Sequence, residues 1–280
     1  MKEIDVNLIT SEVSRLCIEA ATYIEKDVFS IIKKAKDNEK GLAKEILEQI
    51  IENDEIAKCE NIPMCQDTGI TVVFVEIGND VHINGDLYEA INKGVSDGYT
   101  KGYLRKSVVK SPLNRVNTKD NTPAIVHIKC TVGDKLKITI CPKGAGSENM
   151  SKVKMLNPSD GIKGIKDFVK ETITLAGGRA CPPLVVGVGI GGDIEKCALI
   201  AKEALLRPID DESSDLDANK LEKELFKEIN ELNIGPMGLG GNTTAIAVKV
   251  NLYPCHIASL PVCCNIQCHA SRHKVVILWD

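Results

Sequence analysis

Over the first 58 residues, apolar positions recur at three- and four-residue steps, as at Val13, Leu16, Cys17 and Ala20. Gly and Pro are almost absent there, a pattern that predicts helices. The period changes at Gly69. Ile70–Ile77 (ITVVFVEI) is short, β-branched and bounded by glycines, so it is expected to be a strand. Residues 85–110 are expected to form a helix and a loop leading to Arg105. Ala124–Cys130 and Lys135–Ile140 are expected as strands paired with each other across a Gly133-Asp134 turn.

A Lys- and Gly-rich loop follows at Lys143–Asn149. Helical patterns cover about 160–176 and 193–206, separated by the apolar segment Leu184–Ile190. The polar, acidic stretch Asp210–Lys220 is expected as a loop before a helix at Leu221–Leu232. A Gly-rich loop, a strand at Thr244–Val250 and a cysteine-rich end complete the chain. Strands and helices mix without strict alternation, which predicts an α+β (irregular α/β) fold with mixed sheets and surrounding helices. The expected organisation is a single domain over 1–280, with a helical part at 1–58 and a mixed α/β part at 59–280.

Composition narrows the partners. Charged residues make up 26% and the formal charge is −4, which gives no broad basic surface for nucleic acid. Aromatic residues are 4%, too few for base-stacking platforms. No apolar run approaches a membrane span, and MKEIDVNLITSEV has no signal-peptide core, so the expectation is a cytoplasmic protein without membrane partners. Eleven cysteines in such a compartment are not a disulfide framework.

Three of them stand out: Cys65 in NIPMCQDTG and Cys181 in GGRACPP have Gly and Pro flanks that suggest loops, and Cys268 sits in NIQCHASR. No C-x-x-C pair occurs, which disfavours a zinc ribbon or finger. Spacing alone leaves each cysteine open as a metal ligand or as a small core residue. Gly187–Gly192 satisfies G-x-G-x-x-G, but the acids at Asp210 and Asp211 follow a polar loop and not a second strand, so a dinucleotide site is not expected.

Seven blocks then carry a resemblance: PMCQDTG (63–69), YLRKS (103–107), NTKDNTPAIVH (117–127), PKGAGSENMS (142–151), ACPPLVVGVGIGG (180–192), GPMGLGGNTTAIAV (235–248) and HIASLPVCCNIQCHASRH (256–273). In this order they resemble the α subunit of class I, iron–sulfur fumarate hydratases and the related L-tartrate dehydratases. The resemblance implies a [4Fe–4S] cluster on Cys65, Cys181 and Cys268, with one iron open to substrate. With it, Gln66, Asp67, Arg105, Lys143, Gly144, Gly146 and His256 are expected to bind a small dicarboxylate, with Asp67 and His256 as the catalytic candidates and a structural Asx turn as the other reading of Asp67. Arg105 suits a carboxylate because a guanidinium can meet it bidentately. His82 and His127 are expected as surface or strand histidines, and His269 and His273 as residues near a frayed end.

The implied reaction is reversible hydration of fumarate to L-malate. Dehydration of L-tartrate is the alternative within the same chemistry, and a non-catalytic iron–sulfur sensor is the alternative outside it. The resemblance also implies a β subunit carrying the rest of the active site, in αβ pairs within a higher oligomer. Cys255, Cys263 and Cys264 are expected as packing residues.

Overall fold

The computed structural model describes residues 2–279. The chain begins with β1 (Lys2–Asp5), α1 (Val6–Thr22), α2 (Lys26–Asn38) and α3 (Gly41–Glu60). Next come β2 (Ile70–Gly78), β3 (Val81–Asn84), α4 (Leu87–Lys101), β4 (Ile125–Thr131), β5 (Leu136–Lys143) and a four-residue helix, α5 (Ala145–Glu148). The remainder is β6 (Lys152–Leu156), α6 (Gly161–Ala176), β7 (Leu184–Gly191), α7 (Ile194–Ala204), α8 (Leu216–Asn230), β8 (Ala245–Tyr253), β9 (Leu260–Gln267) and β10 (Lys274–Leu278). The fold is mixed α+β, as the sequence pattern predicts. Among the described residues, no helix is long and apolar enough to cross a membrane.

The chain divides into two compact units. Unit one comprises 1–24, 53–145 and 272–280, and unit two comprises 25–52 and 146–271. In unit one a four-stranded sheet runs in the order β10-β5-β2-β4, with β2 and β4 parallel and the other pairs antiparallel. The expected pairing of the β4 and β5 segments does not occur. The nine-residue, largely buried β2 lies between them and takes both sets of ladder hydrogen bonds. α1 and α4 cover one face, joining Ile9, Val13 and Leu16 to Ile91, Val95, Val73, Val75, Ile138 and Ile140. The two helices approach closely because α4 offers Gly94 and Gly98 to α1; a Cβ on either would stand 2.7 Å from an α1 carbonyl oxygen.

In unit two the sheet order is β6-β9-β7-β8, with only β7 and β8 parallel. α6 and α8 cover the face formed by Val186, Val188, Val262, Cys264 and Ile266. The opposite face of β7 presents Gly187 and Gly189 to α7. A Cβ there would lie 2.2 and 2.0 Å from the carbonyl oxygens of Ala201 and Cys197, so these glycines let helix backbone rest on strand backbone. That is the structural use of the G-x-G motif. Asp211, downstream of it, pairs with Arg207 at 2.8 Å and Lys249 at 2.9 Å, and both cations hold its carboxyl below the usual range. α8 begins five residues before the expected Leu221, because Asp215 caps it by accepting from the backbone N–H groups of Asp217 and Ala218.

Candidate functional site

In unit one, the turn Met64–Gly69 between α3 and β2 carries Cys65, Gln66 and Asp67. Its backbone carbonyls are drawn toward the protein interior by side-chain donors from several elements. Asn53 Nδ2 of α3 donates to Met64 O (2.9 Å). Arg272 Nη2 donates to Asp67 O (2.5 Å). The Tyr99 hydroxyl of α4 donates to Thr68 O (2.7 Å) and lies 3.0 Å from Gly69 O, and Asn121 Nδ2 adds a bond to Gly69 O (3.2 Å). Burial raises the Tyr99 phenol above its ordinary pKa, so it stays a donor throughout the working pH range. With the carbonyls occupied inside, Cys65 is half-buried and Gln66 exposed.

Asp67 fixes a neighbouring segment. Its Oδ1 accepts from Gly69 N (3.0 Å), an Asx turn, and its Oδ2 accepts from Ala145 N (2.8 Å). Gly69 itself has φ +77° and packs so tightly that a Cβ would meet the Lys143 backbone at 2.7 Å. Thr68 Oγ1 donates to the carbonyl of Arg105 (2.8 Å), which ties the exposed Arg105 to this turn. The segment expected as a Lys143–Asn149 loop is instead the end of β5 followed by α5. Antiparallel pairing with β2 reaches Ile70 and Lys143, and the Lys143 side chain is buried, 1% exposed. Gly144 sits beside Asp67, where a Cβ would be 3.2 Å from Oδ2.

In unit two, Cys181 and Cys268 are brought together by the backbone. Cys181 follows a 3₁₀ turn at Gly177–Ala180, adopts φ 54°, ψ 66° and is exposed. Its carbonyl accepts from His269 N (3.1 Å), directly after Cys268. The loop after α8 closes over the Cys181 loop, with Met237 N donating to Pro182 O (2.9 Å). Gly178 and Gly238 touch there; a Cβ on Gly238 would stand 2.4 Å from Gly178 Cα. Gly146 also faces this loop, where its Cβ would meet Arg179 O at 3.4 Å. Residues 269–273, expected near a frayed end, are half-buried or buried.

His256 is not with them. It lies exposed in the turn between β8 and β9, whereas Cys268 follows the other end of β9, and a strand of eight residues spans about 25 Å. In one copy of the chain, the structure therefore does not bring His256 to the Cys181–Cys268 pair.

The remaining thiols separate by burial. Cys17, Cys141, Cys197, Cys263 and Cys264 are buried. Desolvation pushes Cys17 and Cys263 up to about 12 and raises Cys197 and Cys264 as well, so these groups stay protonated and pack as small hydrophobes. Cys65 and Cys268 are half-buried, and Cys181 is exposed, as are Cys59, Cys130 and Cys255; Cys255, expected as a packing residue, instead stands in the open turn before β9. Among the described residues, no three His, Cys, Asp or Glu side chains gather as a one-ion site requires. A cluster whose cysteines bind different irons needs no such convergence.

A family model for fumarate hydratase (Fumerase) matches residues 10–277. The chain belongs to that family. A provisionally named L(+)-tartrate dehydratase subunit alpha of Methanocaldococcus jannaschii is 45% identical over 275 residues, covering 95% of this chain and 96% of that protein. The L(+)-tartrate dehydratase subunits alpha of Escherichia coli O157:H7 and K12 are 32% and 31% identical, each covering 99% of this chain and 93% of their own length. The family is one of hydro-lyases, which add water to or remove it from small dicarboxylates. Sequence reading did not find Asn53, Tyr99, Asn121 and Arg272 as supports of the Cys65 turn. Tyr99, Asn121 and Arg272 are buried and Asn53 is exposed, and the partners of all four are 11 to 205 residues away along the chain.

Proposed function

We propose that this chain is the α subunit of an iron–sulfur hydro-lyase that reversibly hydrates fumarate to L-malate, with Cys65, Cys181 and Cys268 as ligands of a [4Fe–4S] cluster. The observation that carries the reading is the Cys65–Asp67 turn, whose inward-held carbonyls leave a thiol and polar side chains outward in a hydro-lyase family chain. The donor set fits the cofactor: six thiols lie outside the core, and of these Cys65, Cys181 and Cys268 fall within the blocks that resemble the family, each on a non-helical segment. Held by three thiolates, such a cluster supplies a Lewis-acidic iron with an open position.

The chain's own residues then bind and orient the substrate. Arg105 pairs with one carboxylate as a fixed cation. Gln66 donates to the substrate beside Cys65, and the backbone of Gly144 and Gly146 approaches it where a side chain would intrude. Lys143 contributes through its backbone, since its side chain is buried. Asp67 keeps a second lone pair on each oxygen after accepting from Gly69 and Ala145, and can take the C3 proton in the malate-to-fumarate direction. His256 has no part in this arrangement within a single copy.

The relatives named as alpha subunits support a β partner that completes the site. Their names also favour a second substrate reading, L(+)-tartrate. Anaerobic reconstitution with iron, sulfide and the partner chain, assayed side by side on L-malate and L(+)-tartrate, tests both. Turnover of malate at a higher kcat/KM supports the first reading, and preference for tartrate replaces it with the second. Turnover by the cluster-loaded chain alone would overturn the need for a partner.

A further inference from the structure

Arg272 is 3% exposed, yet only one edge of its guanidinium is used: Nη2 holds Asp67 O, while Nε and Nη1 are buried without a hydrogen-bond partner. Asp54 of α3, also 3% exposed, has both carboxylate oxygens buried; burial raises its carboxyl, and the neighbouring Asn53 side chain and then the charge of Arg272 act against that rise. The two are buried groups of opposite charge in the same unit, close enough for each to feel the other's charge without a direct ion pair. Neutral donors suffice for the neighbouring carbonyls, as Tyr99 and Asn121 demonstrate. A guanidinium in the same role carries a desolvation cost that a neutral donor does not. It offers in exchange a rigid fork that can bond a carbonyl on one edge and face a carboxylate on the other.

We infer that Arg272, with Asp54 as counter-charge, is a positioning residue for the reaction: it fixes the carbonyl of Asp67, and through it the Asp67 carboxylate that organises Gly69 and Ala145. This rests on the reading above in assigning Asp67 to the substrate site. Asp67 is clamped at its backbone by Arg272 and at both carboxylate oxygens by N–H groups. Releasing the backbone clamp lets the carboxylate leave the other two. The side chain that must meet a substrate proton would then lose its set position, which weakens turnover more than binding.

Hydrogen exchange on the isolated chain tests the positioning role without any cofactor. In Arg272→Gln the amides of Gly69 and Ala145 are expected to exchange about tenfold faster, with α6, α8 and β9 unchanged. Arg272→Lys, which keeps a charged donor, should restore most of the protection. Wild-type exchange at both amides in Arg272→Gln, or equal acceleration throughout unit one, overturns the inference. Should Arg272→Gln fail to fold, the double variant Asp54→Asn/Arg272→Gln removes both buried charges together, and the same two outcomes apply. In the cluster-loaded complex with the partner chain, Arg272→Gln is expected to lower kcat about tenfold with KM changed less than about threefold; a change in KM alone overturns the positioning role. A Cys65→Ser chain that still loads iron and turns over would refute the cluster assignment, while the exchange result would still decide on Arg272.

Discussion

The turn that carries Cys65 and the loop that carries Cys181 are held in place by opposite means. The Cys65 turn is fixed by side chains, with Asn53, Tyr99, Asn121 and Arg272 each reaching a backbone carbonyl. The Cys181 loop is fixed by backbone on backbone, through Cys181 N to Gly178 O, Met237 N to Pro182 O, and the packing of Gly178 against Gly238. A side-chain scaffold can be weakened one hydrogen bond at a time. A glycine contact tolerates no added atom. The two cysteine segments should therefore fail differently under mutation.

The largest effect is expected at Gly238→Ala. It forces a side chain into φ +76° and places a Cβ 2.4 Å from Gly178 Cα, so unfolding by urea should show a loss of roughly 3 kcal/mol or more. Gly240→Ala is the control, with φ +88° but nothing within 4 Å of the added atom, and should cost only about 1–2 kcal/mol. Equal losses in the two variants would mean that the Gly178–Gly238 contact contributes nothing.

Asp54 is next. Burial raises its carboxyl from 3.8 to about 6, so between those values the folded chain binds more protons than the unfolded one. Stability should fall as pH rises from about 4 through about 6, by up to roughly 3 kcal/mol from this group. Asp54→Asn should remove that slope, as urea midpoints measured across the window would reveal. Tyr99→Phe deletes the hydroxyl that serves Thr68 O and Gly69 O and should cost about 1–2 kcal/mol, with faster proteolysis at the Cys65 turn and none at the Cys181 loop. The smallest effect is expected from His256→Ala, under about 0.5 kcal/mol in thermal or urea unfolding, because the residue is exposed.

Much of this comparison could be read from the chain and some could not. The helical periodicity before residue 58 corresponds to α1, α2 and α3, and ITVVFVEI to β2, because burial of one face or of a whole strand leaves a local record. The partner of each strand leaves none. A plausible Gly-Asp turn suggested a hairpin, yet β2, from more than fifty residues earlier, lies between the two strands. The early start of α8 was hidden by the acidic run around Asp215, which resembles a loop until its capping bonds are seen. The Gly and Pro around Cys65 and Cys181 marked those two positions as non-helical, which they are. The side-chain donors behind Cys65 were not legible, since an isolated Asn, Tyr or Arg carries no mark of what it will bond across the fold. His256 shows the reverse: it is only twelve positions from Cys268, but within one copy an extended strand turns that small separation into a long distance.

The five buried cysteines have a practical consequence. Cys17 and Cys141 lie in unit one, and Cys197, Cys263 and Cys264 in unit two, all packed away from solvent. A reagent that labels only thiolates in contact with water cannot reach them until their own unit opens. Position-resolved mass tagging during denaturation would therefore time the opening of each unit separately, using reporters the chain already carries and needing no introduced probe.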